Sequence, residues 1–325
     1  MHDGLGLRRL VADEHDGETV EILDVAPALA QHPAFEAAVR ARAARLRDIV
    51  VTGTADIRRI DRNDRGLRVV ADYVDGVRLP ELLAQLTREH IVLTRPASME
   101  LCARIVRAAA MLHEKPGLTH GAITPAHIVV TREGAVLTDS VFGGALEALQ
   151  RNREQLWREF QIAMPSSASL PRFDTRADVT QLGIVVLTIV LGRMLAAEEY
   201  PRPISDIINA ATTEVHPTAT VSTASRLRMW LYQAMQLHPR ENFANACEAD
   251  RAFQEIMGSA GSRRSGIVGL RSALARARGE AEEAPAPAIV VAPPAPVVDA
   301  AEAPVEAAPR RNSLFRAVFS NFRAN

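Results

Sequence analysis

The sequence predicts an α+β fold in which a small, strand-rich lobe precedes a larger helical one. Three observations carry this. Two hairpin signals flank a single helix before residue 79. Beyond that point apolar residues recur at helical spacing. Asp178–Leu191 is apolar on every side, the mark of a helix inside a core rather than on a surface.

The elements follow in order. Leu7–Ala12 and Thr19–Val25 are short β-prone runs around Asp16-Gly17, a hairpin signal. Pro33 opens a helix that runs to Leu46, since proline suits a first helical turn. Ile57–Ile60 and Leu67–Tyr73 flank the turn residues Asn63, Asp64 and Gly66, a second hairpin. Leu79–Thr87 and Ser98–His113 are amphipathic, the latter with Leu101, Ile105, Ala108 and Leu112 on one face. Ile128–Val130 and Ala135–Thr138 are two tiny strands around Arg132-Glu133-Gly134. Ser222–Leu237 and Glu248–Met257 complete the helices.

Composition limits the function. The 325 residues are 47% hydrophobic and 24% charged, enough to build a sizeable core. The 39 acids and 38 bases leave a net charge of −1, so no nucleic-acid partner is expected. Cys102 and Cys247 are too few for a disulfide framework or a zinc site and read as small buried hydrophobes. The longest apolar run, Ile184–Leu191, is far short of the ~20 residues of a membrane helix. Met1-His2-Asp3-Gly4 has neither a basic nor an apolar leader character, so a cytoplasmic location is expected. Lys115 is the only lysine. Any chemistry that needs a lysine must use it.

His120-Gly121-Ala122-Ile123-Thr124-Pro125-Ala126-His127-Ile128-Val129-Val130 resembles the catalytic loop of protein kinases of the bacterial Ser/Thr type. Leu137-Thr138-Asp139 sits where such kinases place a metal-binding aspartate. Asp178–Leu191 is similar to their central buried helix, Val69–Gly76 to their hinge, and Pro33–Leu46 to the regulatory helix of their small lobe. These motifs, in their order along the chain, imply a two-lobed protein kinase-like fold with a reduced N-terminal sheet. Residues 1–76 would form the small lobe and hinge, and residues 77–258 the helical lobe.

The departures from the kinase pattern decide the expected function. Where kinases carry the aspartate that accepts the substrate proton, this chain has Ala122. Thr124 replaces the loop lysine that neutralises the transferring phosphate. His127 replaces the asparagine ligand of the second metal, and imidazole suits hard Mg²⁺ poorly. The strand lysine that holds the α/β-phosphates falls at Asp24 or Leu23, and its helix partner glutamate near Val39 or Arg40. The glycine-rich loop shrinks to Gly4 and Gly6, and Arg8 stands where a small apolar residue would cover adenine. A Pro-Glu that would pair with a late arginine becomes Pro165-Ser166, with Asn242 at the arginine position, so both partners are lost together. Asp178 keeps a scaffold role and Asp139 survives.

The resemblance therefore implies a pseudokinase, a regulatory or scaffolding module with no catalytic residues. The alternative is a divergent active Ser/Thr kinase that uses ATP. ATP and Mg²⁺ are not required, and any nucleotide site at Gly4, Gly6, Tyr73, Val74 and Asp139 should be weak, with Asp139 a candidate metal ligand and His113, His120 and His127, seven residues apart, conceivable companions for a transition metal.

The C-terminal region differs in texture. Residues 259–309 are rich in Ala, Pro, Ser and Gly and read as a disordered linker. In residues 310–325, apolar residues at 314, 315, 318, 319 and 322 and four arginines describe a basic amphipathic motif. Such a motif suits a protein partner's groove or an anionic membrane surface. Protein partners are also expected on the lobe surfaces. Ser265 and Ser313 each follow arginines and are candidate phosphorylation sites.

Overall fold

The structure, a computed structural model, describes residues 2–13, 16–64, 66–167, 169–213, 223–238, 240–257 and 260–279. The small lobe is a five-stranded antiparallel sheet in the order β1-β2-β3-β5-β4. Its strands are β1 (His2–Asp3), β2 (Gly6–Ala12), β3 (Thr19–Val25), β4 (Ile57–Asn63) and β5 (Gly66–Asp72). Between β3 and β4 come α1 (Pro27–Ala30) and α2 (Pro33–Leu46). Both hairpins therefore form where the turn residues place them. In the first, Asp16 Oδ1 accepts the Glu18 amide at 2.9 Å and fixes the turn.

The large lobe begins at a short strand, β6 (Val77–Arg78), which pairs with β7 (Ile128–Val130), itself paired with β8 (Ala135–Leu137). Helices α3 (Leu79–Arg88) and α4 (Arg95–His113) precede that small sheet. After it come α5 (Gly143–Ala148), α6 (Arg153–Phe160), α7 (Thr175–Leu191), α8 (Ile204–Ala211), α9 (Thr223–Ala234), α10 (Ala246–Ile256) and α11 (Ala260–Ala277). Helix α7 is buried along almost its whole length, as its apolar sequence requires. Asp174 caps it by accepting the amides of Arg176 and Ala177. The main core packs α3, α4, α7, α9, α10 and α11 together. No helix among the described residues is long and apolar enough to cross a membrane.

One boundary differs from expectation. The helical lobe does not give way to a linker at residue 259. Helix α11 crosses α4 and α3 and buries Leu270, Ala273 and Leu274 in the core. Glycine makes the contact, because a Cβ at Gly266 would lie 2.5 Å from the Pro96 carbonyl oxygen of α4. The Arg278 guanidinium then reaches the carboxylate of Asp75, within the hinge, at 2.5 Å. The expected 310–325 motif, Ser313 and the linker from residue 280 onward lie outside the described residues. Ser265 is exposed on α11.

Candidate functional site

The site lies between the lobes, around the loop His120–His127. Asp178, at the start of α7, is fully buried and shapes this loop. Its carboxylate accepts the amides of His120 and Gly121, each at 2.6 Å, and the Nε2–H of His113 at 2.8 Å. His113 Nδ1 accepts the Ala246 amide, so the imidazole proton sits on Nε2. One turn along α7, Gln181 Oε1 accepts the Ile123 amide at 2.7 Å. The scaffold role expected of Asp178 is thus visible atom by atom.

His120 is buried, and its Nδ1 accepts the Ala122 amide at 3.2 Å. Burial pushes its pKa down to about 4, against the upward pull of Asp178. The Ala122 side chain is buried in an apolar cluster with Leu5, Leu23, Val141 and Phe142. Thr124 is buried too. His127 Nδ1 donates to the Ala122 carbonyl at 2.7 Å, and its Nε2 lies 3.7 Å from Asp3 Oδ2.

Asp139 is 6% exposed, and its carboxylate is engaged on both oxygens. Oδ1 accepts Arg8 Nη1 at 2.9 Å, and Oδ2 accepts the Thr138 hydroxyl at 2.5 Å. Burial alone would raise its pKa. Arg8, His127 and Arg78 overcome that and hold the carboxyl well below the usual carboxylate range.

Arg8 is the centre of this constellation. It is only 5% exposed, although it sits on a strand of the small lobe. Besides Asp139 it donates Nε to Asp3 at 2.7 Å and Nη1 to Glu21 at 2.9 Å. Arg78 of β6 grips both oxygens of Glu21 and donates to the Ala126 carbonyl at 2.6 Å. Two guanidiniums thus face three carboxylates drawn from both lobes, with His127 beside them. Asp3 is likewise held below the usual range, because His127 and Arg8 outweigh its burial.

The remaining candidate positions divide. Gly4 and Gly6 lie against main chain: a Cβ at Gly4 would collide with the Glu159 carbonyl of α6, and one at Gly6 with the Asp24 carbonyl. They pack the turn down onto the protein rather than arch over a ligand. Of the two expected lysine positions, Asp24 faces outward and pairs with Arg9 and Arg68, at 2.9 and 3.0 Å. Leu23 faces inward and shares an apolar cluster with Val39 and Phe35 of α2. Of the two, only Leu23 faces the interior, and its surroundings there are apolar. Tyr73 is exposed at the hinge, and Val74 beside it is half-buried. Asn242 bonds locally to the His238 carbonyl at 3.0 Å.

Sequence reasoning missed Asp3, Glu21, Arg78 and Arg42. Arg42 ties α2 to the chain around the site by donating to the carbonyls of Thr119, just before the loop, and Ser140, just after Asp139. One signal was present: Glu21 is an acid inside a strand otherwise rich in Val, Ile and Leu. The residues do not fit a bound metal in this arrangement. Both Asp139 oxygens are engaged, and among the described residues no group of three His, Cys, Asp or Glu side chains is placed to hold one.

No family model and no curated protein matches the sequence. Solved structures do match. The kinase domain of Mycobacterium tuberculosis PknI superposes with a TM-score of 0.57 at 19% identity, over 80% of this chain and 93% of that one. Another structure of that domain gives a TM-score of 0.54 at 18% identity, over 79% of this chain and 92% of that one. The fold is that of a protein kinase. In this kinase-like fold the His120–His127 loop and Asp139 line the interlobe cleft. Arg8 crosses that cleft from the small lobe to Asp139.

Proposed function

We propose that the chain is a catalytically inactive kinase-fold module that acts by binding and regulating partners. One observation carries the reading. At the loop position where kinases carry a proton acceptor, the methyl group of Ala122 is packed among apolar side chains. Phosphoryl transfer depends on positioning and charge stabilisation. Here the acceptor is absent, Thr124 carries no charge, and Leu23 and Val39 lie in one apolar cluster where kinases have an ion pair. Asp139, at the position where kinases bind a metal, serves Arg8 instead. ATP and Mg²⁺ are not required on this reading. Partners would engage the lobe surfaces and the 310–325 motif, with an anionic membrane surface as the second candidate for the motif.

The retained Asp139 and Asp178 favour a second reading, a divergent active kinase. Restoring the acceptor separates the two. Ala122→Asp should give no ATP-dependent phosphorylation of itself or of a general acceptor protein, because no lysine faces the cleft. Its melting temperature should fall, since a carboxylate then replaces a methyl in an apolar cluster. Phosphorylation gained by Ala122→Asp alone would mean that the rest of the machinery is intact.

A further inference from the structure

Residues Asp3-Gly4-Leu5 fill the cleft in a way that resembles a bound ligand. β1 has only two residues, and its ladder bonds go to β2 alone. This short segment nevertheless carries one of the best-buried side chains of the small lobe. Leu5 is 1% exposed and sits in the interlobe cluster with Leu23, Ala122, Val141 and Phe142. Its carbonyl accepts the Ala26 amide at 2.8 Å. The Asp3 carboxylate takes Arg8 Nε on one oxygen and the amides of Leu5 and Gly6 on the other. Gly4 passes over the Glu159 carbonyl with no room for a side chain. Each of the three residues thus meets one requirement: an anion for Arg8, no side chain at the carbonyl, and a branched apolar group for the cleft.

We propose that this segment is an intramolecular ligand, and that the cleft beneath it is a binding site for a peptide presenting the same acidic–glycine–leucine pattern. Displacing the segment exchanges one carboxylate on Arg8 for another and one leucine for another. Binding is therefore near balance, and the tether decides it by effective concentration. Arg8 stays in place throughout, held by Glu21 and Asp139. The proposal deepens the reading of the cleft as a binding site and rests on it.

The probe is the peptide acetyl-Asp-Gly-Leu-amide, titrated into the full chain and followed by nuclear magnetic resonance shifts. In Asp3→Asn/Leu5→Ala the internal ligand is weakened at both anchors. This variant should bind the peptide about tenfold or more tightly than wild type, because the tethered competitor is removed. Adding Arg8→Met should abolish binding, and acetyl-Asp-Val-Leu-amide should bind far less well because of the Glu159 carbonyl. Equal binding by wild type and the double variant would overturn the proposal, as would binding that survives Arg8→Met. Should the double variant not fold, Leu5→Ala alone carries the same comparison. Failure of the peptide to bind with phosphotransfer still absent removes the internal ligand and leaves the inactive-module reading standing. Phosphotransfer by wild type removes that reading instead.

Discussion

His120 shows how a single side chain sets a pH limit on the molecule. It is held neutral by burial, with its pKa at about 4 against an ordinary 6.5. The unfolded chain therefore binds a proton between those values that the folded chain refuses, and stability falls with pH through that window. The loss should be about 2 kcal/mol between pH 7 and pH 5 from this residue alone. Asp3 and Asp139 act at lower pH. Their depressed folded pKa values give stability that is present above the ordinary carboxylate value of 3.8 and lost as pH falls below it. Urea unfolding at pH 7 and pH 5 checks the histidine. Wild type should lose stability over that range, and His120→Gln should lose about 2 kcal/mol less. Parallel pH slopes for the two proteins would show that His120 is not the group responsible. At this scale the sequence exposed Asp178, Asp139 and the odd Arg8. It could not expose the Arg8–Asp139 bridge, whose partners stand 131 positions apart. No local pattern encodes so distant a pairing, and chain folding alone brings the two together.

Among the elements, α2 was legible at both ends, Pro33 and Leu46, because a proline opens it and its alanine-rich run has no breaker. The hairpins and α7 were legible for similar reasons of turn chemistry and hydropathy. Helix α11 was not. Its Ser, Gly, Arg and Ala content matches that of a linker, yet the small residues are what let it lie close on α4. Gly266→Val tests this directly. The new Cβ meets the Pro96 carbonyl at 2.5 Å, so stability should drop by roughly 1–3 kcal/mol. Amide exchange should quicken along α11 more than along α7. Ser265→Ala, on the exposed side of the same helix, should change neither. If Gly266→Val unfolds at the same urea concentration as wild type, α11 does not pack as described. The contact of Arg278 with Asp75 places the end of this helix at the hinge.

For the whole molecule, the two lobes are joined by side chains that meet in the cleft. Arg8, Asp139, Glu21 and Arg78 form a charge network across the cleft, and Leu5 fills it with apolar bulk. Arg42 and Arg45 bind α2 to carbonyls of the turn that precedes the His120–His127 loop. A buried ion network contributes little net stability compared with an apolar replacement, but breaking one member leaves an unpaired charge. The order of motifs made the architecture readable in advance, while the filling of the cleft depended on contacts between distant segments. The most direct test is a phosphotransfer assay of the wild-type full chain with radiolabelled ATP and Mg²⁺, run beside Asp139→Ala. The account predicts no transfer above background from either protein. Transfer by wild type that disappears in Asp139→Ala would contradict it.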